Sequence, residues 1–290
     1  MEYGSAAPPV FKPQTPVLCR IRLLAVVGGQ LVGSGEKAAA RLPHSKPRWN
    51  SPLAWRLAII EESEMANRSY LRIWTRDFSE ATMIPEFARL LTSAPLSTSK
   101  SAFTELRIQA VDPTEIPVAE WDLRDQGYGP PEIGALAVQH LNPDTAYFVG
   151  ANWDLWVFDM ETMKWRQEPQ PLTLVCHGPL YDDGVAVTAG HFAADLGFEH
   201  YFTGHGGLLA PGAASNPFDS SDHPLEHTFR QWMSASGNLK EYHAKTRENI
   251  QQLFNWMEAI EAALPVERSE LASEGEENFE ARLDAILARR

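Results

Sequence analysis

The residues best suited to chemistry cluster between positions 176 and 207. There the chain reads Cys176-His177-Gly178-Pro179-Leu180-Tyr181-Asp182-Asp183-Gly184, then Gly190-His191, Glu199-His200 and Thr203-Gly204-His205-Gly206-Gly207. His177, Asp182, His191 and His205 are all of metal-ligand type. A hydrolytic zinc or manganese centre needs two or three neutral imidazoles and a carboxylate, with one position left open. The spacing does not supply this in a known form: there is no His-Glu-x-x-His and no ligand pair one helical turn apart. Side chains on a strand alternate faces, so His191 and Asp195 share one side while His200 and His205 fall beyond the strand end. A metal-dependent hydrolase using His177, Asp182, His191 and His205 is thus the alternative here.

Nucleophilic catalysis fares no better. His205-Gly206-Gly207 has the look of an oxyanion loop, but no Gly-x-Ser-x-Gly nucleophile elbow accompanies it. Cys176 and His177 are adjacent, and neighbours on a strand point to opposite faces and cannot share a proton, so Cys176 reads as a small core residue. An aromatic platform of Trp153 and Trp156, with Tyr147 and Trp165, offers a binding surface for a sugar or a peptide; against it stands the usual place of such rings in a core. Upstream, Gly28 to Lys37 resembles a phosphate-binding loop. Glu36 follows the last glycine where a lysine is needed, and Ala38 stands where a hydroxyl should bind the metal. The same stretch fails as a signal peptide, since Gly28-Gly29-Gln30 interrupts a short apolar run.

Charge is the more informative feature. The chain has 290 residues, with 25 basic against 38 acidic, a formal net of -13. That balance argues against nucleic acid or an anionic membrane surface as partner and favours a basic protein. Asp182 and Asp183 form one local acidic peak. Small acidic inhibitors and immunity-like proteins neutralise basic toxins through such surfaces, and the comparison is one of physics. With every catalytic arrangement incomplete, the leading reading is a non-catalytic protein-binding module. Two cysteines, Cys19 and Cys176, give no disulfide framework and suit a cytoplasmic protein. No run approaches the ~20 apolar residues of a membrane span.

The elements that would position these residues begin at Met65. Residues 1–64 hold eight basic and five acidic residues and are rich in Pro, Ala, Gly and Ser, as expected of a poorly ordered leader upstream of a true start at Met65. An α+β domain over 65–209 follows. Tyr70 to Thr75 alternates as a strand, Asp77 to Glu80 has the spacing of a capping box, and Met83, Ile84, Phe87, Leu90 and Leu91 recur at helical intervals. Phe103 to Val111 and Trp121 to Leu123 read as strands, and Pro130-Pro131 starts a short helix that Asn142-Pro143 stops. Thr145 to Asp159, the densest apolar stretch, reads as a central strand pair. Strands over Leu172 to Cys176 and His191 to Phe198 complete a mostly antiparallel sheet with two short helices. A linker over 210–224 leads to helices over 225–290: a long amphipathic one ending at Pro265, then one from a capping box at Ser273 to Glu276, folding back as a hairpin. That hairpin covers the sheet in a monomer or serves a dimer.

Overall fold

The structure, a computed structural model, describes residues 67–205 and 224–288. The expected leader, its start at Met65, the phosphate-loop and signal-peptide readings, Cys19, Gly206-Gly207 and the linker lie outside the described residues, apart from its final position, Pro224.

An α+β fold is formed, with one seven-stranded antiparallel sheet and helices on it. The strands are β1 (Arg68–Thr75), β2 (Phe103–Ala110), β3 (Ala119–Asp122), β4 (Thr145–Asp159), β5 (Lys164–His177), β6 (Phe192–Phe198) and β7 (Val266–Ser273). Across the sheet their order is β3-β2-β4-β5-β6-β1-β7, and every neighbouring pair runs antiparallel. The helices are α1 (Glu80–Ser93), α2 (Pro130–Val138), α3 (Ala186–Ala189), α4 (His200–Thr203), α5 (Pro224–Met233), α6 (Ser236–Ala263) and α7 (Phe279–Ala288).

The period-2 pattern of the strands explains the layering. Leu71 and Ile73 of β1, Phe192, Ala194 and Leu196 of β6, Leu172 and Leu174 of β5, and Tyr147, Val149, Trp153 and Leu155 of β4 are buried on one face. Against them lie Phe87 and Leu90 of α1, Ile133 of α2, and Ile250, Leu253 and Trp256 of α6, in one core cluster. The other face carries charge: Arg68 bonds Asp195 at 2.8 Å and Arg72 bonds Glu270 at 3.3 Å.

Four expectations need correction. The stretch Thr145 to Asp159 is one strand of 15 residues, not a pair. Its first half lies between β2 and β5; beyond Ala151, the last partner of β2, it continues with β5 alone as a two-stranded ribbon. The strand expected over Leu172 to Cys176 in fact begins at Lys164, although it then includes Pro169 and Pro171, residues that ordinarily disfavour a strand interior. They are accommodated because they lie opposite Asp154 and Asn152 at positions whose N–H would face away from β4. The Trp156 N–H and C=O, of the same parity, indeed face away from β5 and bond the Asn249 amide. Two prolines on the free side also protect that edge from pairing with another chain.

The first capping box closes two residues later than expected. Asp77 turns left-handed at φ 57°, Ser79 becomes the N-cap, and its N–H donates to the Thr82 hydroxyl at 3.0 Å. At the C-terminus the two helices do pack together, but β7 lies between them in the chain and joins the sheet beside β1. Ser273 ends that strand, and Asn278 caps α7, its Oδ1 accepting the Ala281 N–H at 3.2 Å. Among the described residues no helix is long and apolar enough to cross a membrane.

Candidate functional site

β5 delivers His177 to one end of the sheet, and β6 starts there just after His191. Between them the chain makes a turn in which Asp182, Asp183 and Gly184 are all left-handed, at φ 47°, 54° and 81°. The His177 Nδ1–H donates to the Gly190 carbonyl at 2.8 Å, so its lone pair is at Nε2. His191 has the opposite tautomer. Its Nδ1 accepts the Thr75 backbone N–H at 3.0 Å, and its ring stacks on Phe78 with centroids 4.1 Å apart. Burial holds both imidazoles below the usual histidine range, hence neutral at pH 7.

These bonds decide the metal question for His191. A neutral imidazole that accepts at Nδ1 carries its proton at Nε2, which leaves no lone pair for a cation. The Thr75 hydroxyl donates to the buried Glu86 carboxylate at 2.7 Å, and Thr75 itself is 1% exposed, out of reach of a substrate. His205 is elsewhere. His177 pairs with Ala146, near the start of β4, whereas the His205 ring touches Phe158, twelve residues further along that strand. At ~3.3 Å per residue the separation is about 40 Å. Asp182 stands in the turn near His177, its N–H donating to the Val111 carbonyl at 2.7 Å. Among the described residues no three His, Cys, Asp or Glu side chains are grouped so as to hold a metal ion.

His205 belongs to an aromatic cluster where α4, α5 and α6 meet. The Tyr242 hydroxyl accepts its backbone N–H at 2.9 Å and bonds its Nδ1 at 2.6 Å. The His200 ring is 4.4 Å away, centroid to centroid, and stacks on Phe198. Burial among these rings pushes His200 down to about 3, with a smaller contribution from His205, and pushes His205 down to about 4.

Trp153 is fully buried between Phe202 and Trp256, so this candidate binding residue is a core residue and presents nothing to a partner. Trp156 is half-buried, and the Lys245 ammonium sits 3.5 Å over its ring. Cys176 is a core thiol, pushed up by burial. Two positions here demand glycine: Gly178, where an added Cβ would lie 2.4 Å from the Pro143 carbonyl oxygen, and Gly190. At Gly190, with φ 97°, an added Cβ would lie 2.6 Å from the Phe192 carbonyl oxygen and 3.0 Å from the Ile73 nitrogen, both backbone atoms. Gly190→Ala is expected to cost about 2–3 kcal/mol in chemical denaturation; an unchanged midpoint would show that the turn relaxes freely.

What the end of the sheet exposes is unlike its interior. Val111, Ile116, Val118, Leu180 and Val187 are 54%, 86%, 54%, 65% and 72% exposed. Three loops bring Val111 and Leu180 together: the Val111 N–H donates to Asp144 O, the Asp182 N–H to Val111 O and the Leu180 N–H to Pro143 O. Val111 is left-handed at φ 70°, a strained state for a β-branched residue. The loops 111–118, 139–144 and 178–190 contain five carboxylates, Asp112, Glu115, Asp144, Asp182 and Asp183, and no Lys or Arg, while Arg107 of β2 lies within electrostatic reach of Tyr181. The two aspartates were foreseen and the aliphatics were not. Their signal was large apolar residues in proline-rich turns, Val111-Asp112-Pro113, Ile116-Pro117-Val118 and Pro179-Leu180, where neither period applies. Compared with protein-family models, with curated proteins and with solved structures, the chain matches none of them.

Proposed function

We propose that this chain is a non-catalytic protein-binding module whose loop end receives a basic protein, in the manner of an acidic inhibitor or immunity-like protein. The observation that carries the reading is the exposed aliphatic group around Val111 and Leu180, set among five carboxylates with no basic residue in the same loops. Contiguous exposed apolar surface rimmed by charge is a mark of partner contact. The aliphatics supply area to bury, and the carboxylates speed the encounter with a positive surface and fix its register. Backbone strain at Val111 adds support, because a residue held in a costly conformation by two neighbouring loops is one whose position matters. The single buried free thiol among the described residues, Cys176, suits a reducing cytoplasmic setting.

The test compares three full-length proteins as bait in lysate of the source organism: wild type, Leu180→Ala, and Asp182→Asn with Asp183→Asn. Asparagine tolerates the left-handed backbone at both sites, and exposed substitutions of this kind change stability by only about 0.5 kcal/mol. A basic protein held by wild type at low salt and released as salt rises, then bound about tenfold or more weakly by both variants, is the expected result. A partner held equally by all three would place the interface elsewhere and sink the reading. So would the absence of any stoichiometric partner.

A further inference from the structure

The three free strand edges among the described residues are not alike. β3 presents only the four residues Ala119–Asp122, and the free side of the β4–β5 ribbon carries Pro169 and Pro171. β7, at the other end of the strand order, offers eight residues, VERSELAS, with no proline, and no described strand pairs with its far side. Its register with β1 is irregular only at the Val266 end.

Which backbone groups face outward follows from the ladder. The Glu274 N–H donates to Arg68 O at 3.0 Å. In antiparallel pairing the bonded positions alternate, so Ala272, Glu270 and Arg268, opposite Tyr70, Arg72 and Trp74, also turn their N–H and C=O groups to β1. Ser269 and Leu271 then turn theirs to the open edge, while Glu267 sits in the bulge where the register shifts. The intervening side chains, Arg268 and Glu270, stand on the outer face. Arg268 is held over the Trp74 ring at 3.6 Å and Glu270 is anchored to Arg72.

We propose that this edge pairs antiparallel with the same edge of a second copy, centred on Ser269, joining two sheets into one. In that register Ser269 pairs with its own symmetry mate through the groups that face outward, and Leu271 lies opposite Glu267 of the other copy. Arg268 of each copy then lies opposite Glu270 of the other, in the closer, non-hydrogen-bonded type of pair, giving two opposite-charge contacts related by the twofold axis. Moving the centre by one residue in either direction is unfavourable: centring on Arg268 sets arginine against arginine, and centring on Glu270 sets glutamate against glutamate. The charge pattern of the edge is thus self-complementary in one register.

The test is sedimentation equilibrium on the full chain over a range of concentrations. Wild type is expected to dimerise. Arg268→Glu and Glu270→Arg each create two like-charge pairs in a homodimer and are expected to weaken it about tenfold or more. Mixed one to one, they restore both opposite-charge pairs, so a heterodimer should form from two variants that are monomeric alone. A monomeric wild type, variants that self-associate as well as wild type, or a mixture that does not pair would each overturn the proposal. Amide hydrogen exchange of wild type gives a second readout, free of any substitution. The Ser269 and Leu271 amides should become protected as concentration rises, and protection independent of concentration would also overturn it.

Discussion

Replacing Asn249 by leucine is expected to destabilise the fold by about 3 kcal/mol or more, although no buried apolar volume is lost. Beyond Ala151, β4 no longer has β2 beside it, and its edge would be left unpaired under helix α6. The Asn249 side chain takes the place of the missing strand. Its Oδ1 accepts the Trp156 N–H at 2.8 Å, and its Nδ2 donates to the carbonyls of Trp156 and of Tyr201, each at 2.9 Å. One side chain thereby ties the ribbon, α4 and α6 together, and it is 1% exposed. Leucine is near in volume but leaves one donor and two acceptors without partners in a dry site, at about 1–3 kcal/mol for each buried orphan group. Urea denaturation would read the loss as a fall in midpoint with the slope unchanged. A loss below about 1 kcal/mol would mean that water reaches the Trp156 backbone.

Asn249 also marks the limit of what periodicity could reveal. It sits on the apolar face of α6, between Thr246 and Leu253, where its buried place was invisible because a polar residue at such a position reads as the edge of the stripe. The elements with clean patterns were legible: the alternation of β1, the helical spacing of α1, the double proline at the start of α2 and the single long face of α6. Legibility failed where a tertiary partner overrides the local signal. Pro169 and Pro171 fit a strand because their N–H sides need no partner, and Val266 to Ser273, polar and half-exposed, becomes a strand because β1 offers it an edge. The chemistry divides in the same way. Side-chain alternation alone placed Cys176 in the core and apart from the His177 face. No spacing could show that the His191 Nδ1 is taken by the Thr75 N–H, or that His205 lies about 40 Å from His177 at the far end of β4. Both facts depend on strand register, which the pattern of residues does not encode.

The second large effect expected is acid lability in a window above the range of carboxylates. His200 and His205 titrate in the folded protein at about 3 and about 4, against 6.5 when unfolded, because both rings are buried among aromatic side chains. For a base with a depressed folded pKa the unfolded chain binds the extra proton. The stabilisation is therefore complete above pH 6.5, falls as pH drops below that value, and levels off only when the folded rings protonate near pH 3 to 4. Each histidine costs about 1.4 kcal/mol per pH unit inside the window, so at pH 5 the pair removes about 4 kcal/mol. That is a large fraction of a typical domain's stability. Urea midpoints at pH 7.5, 6, 5 and 4.5 would trace the decline. His200→Phe, which sets a neutral ring between Phe198 and His205, is expected to make the slope against pH clearly shallower, with His205, His177 and His191 supplying what remains, while leaving the midpoint at pH 7.5 little changed. Equal slopes for wild type and variant would refute the assignment, as would an imidazole signal from either residue titrating near pH 6.5. Carboxylates such as Asp122, held down to about 2 by Arg124, enter only below pH 4, so their protonation does not mimic the effect. The loosening should begin where α4, α5 and α6 meet, because the two most strongly depressed imidazoles lie there. The loops around Val111, at the other end of β4, should lose their amide protection only when the whole unit unfolds.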